Sequence, residues 1–543
     1  MLLTPFNMSR NRIIHIITLL LILFYNTALF QKFIKIYSLS VTHILYLISI
    51  VLIVAAIIEI LLHLMCFRRA TKPMLIFIVM ISAMASYFMD TYSTVLDASM
   101  IENMFATNVR EASSLFSFKL VMYTLLLGIL PAVLIYKTNI NHRTIAGELL
   151  DSSKIILVAI GIIMSQVYMF GNFYSSFFRE HKEVRVYANP IMYIYSSYKY
   201  VSTALDNRKR ILAELGRDAN IPKTDIEREL VIIVVGETAR SGNFSLNGYT
   251  KKTNPLLEKE AVYSFKDFQS CGTSTAVSVP CMFSHINGDN FTIEKGKNNE
   301  NLLDILKHAG INVLWRDNNS DSKDVALRVA YEDFSSKNKN PVCDIECRDV
   351  GMLHGLQDYV NSTLDGDIVI VLHQMGNHGP DYYKRYPQSF EKFTPACHTN
   401  QLEKCSEEEI TNTYDNAILY TDYFLSETIN LLKKNNNKFE TAMVYISDHG
   451  ESLGENGIYL HGMPNFMAPD NQRNVGAILW LGDSYDDLNK KTLATKITNA
   501  YSHDNFFHTV LGLLEVDTDV YNKSLDIIDH VEESKILMES VRK

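Results

Sequence analysis

Apolar residues fill the first third of this chain in blocks too long for elements of a water-soluble core, and the blocks stop near residue 175. A helix needs about 20 apolar residues to cross a bilayer. Five stretches approach that length: Ile13 to Phe30, Val41 to Met65, Met74 to Met89, Phe118 to Tyr136 and Ile155 to Tyr174. The first reads as an anchor and not as a cleaved signal peptide, because no small-residue cleavage site follows it and four more spans do. From about Glu227 the pattern changes. LVIIVV (230 to 235), INVLW (311 to 315), DIVIVL (367 to 372) and TAMVYI (441 to 446) are short, β-branched apolar runs with helical segments between them. Strands apolar on both faces belong to a parallel sheet covered on both sides, which predicts an α/β sandwich. Between the halves, aromatics give way to a charged run, Asp206 to Arg210, with an apolar face through Ile211, Leu212 and Leu215. That segment reads as a helical linker at the membrane surface or as a plain solvated one. The expected organisation is multi-domain: a five-helix transmembrane domain over 1–175, a linker over 176–226 and a catalytic domain over 227–543.

Charge gives these parts a direction. Arg10 and Arg12 precede the first span, Arg68, Arg69 and Lys72 join the second to the third, and Lys137, Arg143 and Lys154 join the fourth to the fifth. Positive loops stay in the cytoplasm, so an odd number of spans carries everything after about Ser175 to the far side, although Lys32 and Lys35 reduce the contrast at the first span. Cysteine usage agrees. Cys66 lies in a span, and the other six form near neighbours: Cys271 with Cys281, Cys343 with Cys347, Cys397 with Cys405. Local disulfides are the simplest pairing and require an oxidising compartment such as the periplasm; metal binding is the alternative, but the spacings do not repeat as in a zinc ribbon. A net charge of −9 without a basic stripe gives no reason to expect nucleic acid as a partner and points to partners in the membrane.

In open α/β sheets ligands bind at the carboxyl ends of strands. LVIIVV runs into Gly236-Glu237-Thr238, DIVIVL into His373 through His378, and TAMVYI into Ser447-Asp448-His449-Gly450-Glu451, with His461 following. Carboxylate oxygens mixed with imidazole nitrogens, without thiolate, suit zinc first and manganese second, whereas magnesium and calcium favour oxygen alone. Glu237, Asp448 and His449 leave one tetrahedral position open, as a catalytic metal requires. A nucleophile comes from QSCGTSTAVSVPCMF, where Thr273, Ser274, Thr275 and Ser278 lie between Cys271 and Cys281 at the expected start of a helix. A helix N-terminus favours phosphate, and a hydroxyl beside a metal loses its proton more readily. Spacing does not choose among the four hydroxyls, and capping of the helix is the alternative use for them.

The motifs VGETARSGNFSLNGY, SCGTSTAVSVPCMFS, WRDNNSDSK, ECRDVGML, HQMGNHGP and SDHGESLGENGIYLHGMP resemble those of the lipid A phosphoethanolamine transferases, including the mobile colistin-resistance enzymes, and cover nearly all of residues 230 to 465. The resemblance implies a periplasmic α/β sandwich of the alkaline phosphatase/sulfatase type. It implies that Thr275 is the nucleophile, that Glu237, Thr275, Asp448 and His449 bind a first zinc, and that His378 and His461 meet the phosphoryl group or a second zinc. Asn319, Ser320 and Lys323 then hold substrate. Asn103, Thr107 and Glu111, spaced by four, share one helical face toward a lipid headgroup. The implied activity is transfer of phosphoethanolamine from phosphatidylethanolamine to a phosphate of lipid A, through a covalent intermediate on Thr275, by a monomer in the bacterial inner membrane, with resistance to polymyxins such as colistin as its result. A core sugar or periplasmic glucan is the alternative acceptor. A sulfatase would carry a formylglycine motif, which the sequence lacks, and simple hydrolysis needs no five-span anchor.

Overall fold

The computed structural model describes residues 7–37, 40–106, 109–205, 212–222, 227–485 and 488–529. The chain forms two compact units: Met1–Glu102 with Phe116–Asp206, and Asn103–Leu115 with Asn207–Lys543. The expected linker is divided between them. Its earlier part includes the helix Ile191–Leu205 of the first unit, while Asp206 to Arg210 and Ile211 lie outside the described residues.

In the first unit, Val41–Met65, Arg68–Tyr92, Phe118–Lys137 and Ile145–Gly171 are long and apolar enough to cross a membrane. The first expected span is not one straight helix: Arg10–Tyr25 and Thr27–Ile36 meet at 52° and make a fifth crossing if counted together. Asn26 accounts for the break. It is fully buried, and its side-chain amide donates to the carbonyls of Leu21 (3.0 Å) and Asn189 (2.6 Å) while its oxygen accepts from the Asn189 N–H (3.0 Å). Such bonds compete with the helical ladder. Gly128, in the fourth span, lets helices close on each other; a Cβ there would lie 3.0 Å from Met80 Sδ.

The second unit is built on a seven-stranded sheet. In chain order the strands are β1 (Glu229–Gly236), β2 (Tyr263–Phe265), β3 (Asn312–Asp317), β4 (Ala330–Asp333), β5 (Ile368–His373), β6 (Glu440–Ser447) and β7 (Ala477–Leu481). Their order across the sheet is β2-β7-β6-β1-β5-β3-β4, with β7 antiparallel to both its neighbours and the run from β6 to β4 parallel. Every residue of β1, β5 and β6 is buried, as their unbroken apolar pattern requires. Val231, Ile233 and Val235 pack with Leu302, Leu306, Phe506 and Leu511 in the main core; the long helix Glu407–Lys433 packs against β6. Register then decides where the chemistry sits. Gly236 pairs with Ser447 and Val235 with His373, so β1, β5 and β6 end side by side. The three expected disulfides form, and Cys66 is a buried free thiol.

Candidate active site

Glu237 leaves the end of β1 through a constrained turn. Thr238 follows with φ +58°, a region that β-branched residues enter only when their surroundings hold them there. Its hydroxyl donates to Glu237 Oε1 (2.6 Å), and its carbonyl accepts from the Tyr414 hydroxyl (2.6 Å). Gly376, after β5, has φ +52°, and a Cβ on it would strike the Glu237 carbonyl at 2.7 Å, so only glycine lets this loop pass. Asp448 leaves β6 with Oδ1 accepting from the Thr238 N–H (3.1 Å) and the His449 N–H (2.7 Å). Its Oδ2 is buried with no hydrogen-bond partner among the described residues.

That oxygen faces His449. The His449 ring lies with Nδ1 2.9 Å from the Gly450 carbonyl, which turns Nε2 inward, 3.4 Å from both Glu237 Oε1 and Asp448 Oδ2. Ligand atoms of Glu237, Asp448 and His449 all fall within 4.8 Å of one another, and all three residues are fully buried. Burial, reinforced by Glu237, pushes the Asp448 carboxyl up to about 7. Burial acts the same way on Glu237, but His449 outweighs it and holds that carboxyl well below the usual range. Two buried acids converging on an imidazole nitrogen need a cation to offset their desolvation, and an orphaned carboxylate oxygen aimed at the same point fits a metal ion held by O, O and N donors.

The helix α1 (Thr275–Met282) begins at this point. Thr275 Oγ1 lies 3.2 and 3.3 Å from the two Glu237 oxygens and 3.4 Å from His449 Nε2. The structure thereby separates hydroxyls that the spacing left equivalent. The Thr273 hydroxyl donates to the Met463 carbonyl (2.5 Å), Ser274 is the residue preceding the helix, and Ser278 is fully buried one turn further on.

His461 stands beside this cluster, its ring 4.3 Å from that of His449 and 5.1 Å from that of His378. A short hairpin, Ser452–Leu453 with Tyr459–Leu460, folds it back so that Nδ1 lies 2.8 Å from Glu451 Oε2. Tyr382 donates to the other Glu451 oxygen at 2.5 Å. Burial raises Glu451 to about 8 and, with His449 close by, lowers His461 to about 3. The sequence reading missed this Glu451–Tyr382 support, and only the acid in SDHGES could have signalled it.

The remaining expected residues divide. Asn319 joins the site as a support: its amide donates to Glu237 Oε2 (2.7 Å) and the Gln374 carbonyl (2.8 Å). Lys323 donates to Ser320 Oγ (2.6 Å) and pairs with Asp321 (3.3 Å), so Ser320 and Lys323 engage each other and not Thr275. Asn103 lies in the helix Ala98–Ala106, in a segment that groups with the second unit. Thr107 and the side chain of Glu111 lie outside the described residues. Asp349, also missed, anchors the loop after β5 by accepting from the N–H groups of Met375 (2.9 Å) and Gly376 (3.1 Å) and from the Asn318 amide (2.7 Å).

Residues 229–516 match the sulfatase family, and residues 52–205 match the family described as phosphoethanolamine transferase EptA/EptB. The class is that of membrane-anchored transferases built on a sulfatase-type catalytic fold. Phosphatidylethanolamine transferase Mcr-1 of Escherichia coli is 42% identical over 83% of this chain and 85% of its own length, and phosphoethanolamine transferase EptA of Escherichia coli K12 is 40% identical over 93% of each. The solved integral membrane lipooligosaccharide phosphoethanolamine transferase A from Neisseria meningitidis superposes with a TM-score of 0.92 at 33% identity, covering 96% of this chain and 99% of that one. The chain belongs to the phosphoethanolamine transferase family. It resides in the inner membrane, with the sulfatase-type unit in the periplasm.

Proposed function

We propose that the chain transfers phosphoethanolamine from phosphatidylethanolamine to a phosphate of lipid A, with Thr275 as nucleophile and zinc as cofactor. The carrying observation is the placement of Thr275 Oγ1 within 3.4 Å of His449 Nε2 and both Glu237 oxygens, at the open side of a metal-capable triad. When bound there by Glu237, Asp448 and His449, zinc supplies positive charge that eases loss of the hydroxyl proton and offsets charge on the transferring phosphoryl group.

The chain's own residues then run a double displacement. Thr275 Oγ1 bonds to phosphorus, the bond from phosphorus to the diacylglycerol oxygen breaks, and the proton shed by the hydroxyl passes through His461 or His378 to that departing alkoxide. A phosphate oxygen of lipid A next bonds to the same phosphorus, the bond to Thr275 breaks, and the proton shed by the acceptor returns to Thr275. Asn319 keeps Glu237 oriented throughout. Lys323 and Ser320 hold the phosphate, and Asn103, Thr107 and Glu111 meet the ethanolamine end. One chain supplies the whole ligand set, so a monomer suffices. An added ammonium group makes lipid A less negative, which weakens binding of cationic polymyxins such as colistin.

Mass spectrometry of lipid A from a susceptible Gram-negative strain tests the reading. Expression of the chain adds one phosphoethanolamine unit and lowers polymyxin sensitivity. Unmodified lipid A beside a modified core sugar or periplasmic glucan would overturn the acceptor.

A further inference from the structure

We infer that His503 is a positioning residue for this transfer, a strut that sets the distance between the nucleophile loop and the strand end that delivers Asp448 and His449. The inference rests on the proposed role of Thr275. His503 opens the helix α2 (His503–Leu513), capped by Ser502, and is 1% exposed. Its Nδ1 lies 3.3 Å from the Cys271 N–H nitrogen, and its Nε2 lies 3.1 Å from the Ser447 carbonyl oxygen. An N–H can donate only to a bare ring nitrogen, and a carbonyl can accept only from a protonated one. The two contacts therefore require a neutral ring with its hydrogen on Nε2.

Both partners are placed for leverage. Cys271 opens the loop that leads to Thr275, and Ser447 immediately precedes Asp448. The Ser447 hydroxyl accepts from the Ala239 N–H (2.7 Å) and donates to the His449 carbonyl (3.0 Å), so displacement of Ser447 disturbs the turns behind Glu237 and His449 together. The adjacent Asp504 accepts from the Gly288 N–H (2.7 Å), so the same helix end grips the chain on both sides of α1. One imidazole thus spans the two segments whose separation appears as the 3.4 Å between Thr275 Oγ1 and His449 Nε2. His503 itself touches none of the reacting groups.

The test uses the full-length detergent-solubilised protein and two variants. His503→Phe keeps a ring but loses both hydrogen bonds, whereas His503→Gln keeps one acceptor and one donor. Misplacement by about 1 Å costs on the order of 10²-fold in rate, so His503→Phe lowers kcat by about that factor with KM within about twofold, and zinc titration against a chromophoric chelator shows weakened metal binding. His503→Gln recovers most of both. A kcat for His503→Phe close to wild type overturns the strut, as does a His503→Gln protein that melts normally yet is as slow as the Phe variant. His503→Gln decides alone if His503→Phe does not fold. A wild-type protein that transfers nothing defeats the proposed function instead, and zinc affinity across the two variants still judges His503.

Discussion

Thr275 contributes a hydroxyl and one methyl group at the first residue of an eight-residue helix, so its removal disturbs chemistry far more than packing. Thr275→Ala abolishes transfer and leaves the melting temperature within a few degrees of wild type; retention of more than a few per cent of activity would move the nucleophile to Ser274 or Thr273. Histidines with no part in the reaction set a different property. His508 has Nδ1 3.1 Å from the Asn522 N–H nitrogen, and burial pushes it down to about 4. Its unfolded value is about 6.5, so between pH 6.5 and 4 the unfolded chain binds a proton that the folded chain does not. Stability present above pH 6.5 is therefore lost as the pH falls through that window. Thermal melts from pH 7 to 4 show a falling melting temperature, and His508→Gln flattens the decline; an equal slope in the variant would remove His508 as a cause.

The strand ends, more than any one side chain, create the site. β1, β5 and β6 stop in register, and the loops beyond them are closely fitted: Thr238 stands at φ +58° and Gly376 passes against Glu237. The loop that carries Thr275 is tied at its ends by the disulfide Cys271–Cys281. Closing a loop of this length contributes about 2 to 3 kcal/mol by chain entropy, and the Cys397–Cys405 bridge closes a similar one. Cys271→Ser therefore lowers turnover by more than its shift in melting temperature explains, while Cys397→Ser loses stability alone. Equal losses of turnover in the two variants would make both bridges merely structural. The strands were legible because burial on both faces leaves an unbroken apolar run. The break in the first apolar stretch was not, because Asn26 looks like any polar residue within a greasy helix and its partner Asn189 lies 163 residues away.

For the whole molecule, the anchor and the catalytic unit answer different physical demands, an apolar solvent for one and a buried acid cluster for the other. Stripping the purified protein with a chelator abolishes transfer, and zinc restores it better than magnesium, because His449 supplies a nitrogen that magnesium binds poorly. Equal rescue by magnesium would remove His449 from the ligand set.

Local pattern alone determined the apolar spans, the parallel strands, the near-neighbour disulfides and the metal-capable residues at strand ends, because burial on one face, on both faces or in lipid leaves its own period along the chain. Motif resemblance singled out Thr275 among four hydroxyls; only the fold places the Thr273 hydroxyl on the Met463 carbonyl and that of Thr275 beside Glu237 and His449. Glu451 under His461, Asp349 under the loop after β5 and His503 between two loops were decided by tertiary structure only. Each is a polar side chain satisfied by a partner distant in sequence or turned toward it by a loop, and the energy of such a contact depends on a position in space that no spacing along the chain encodes.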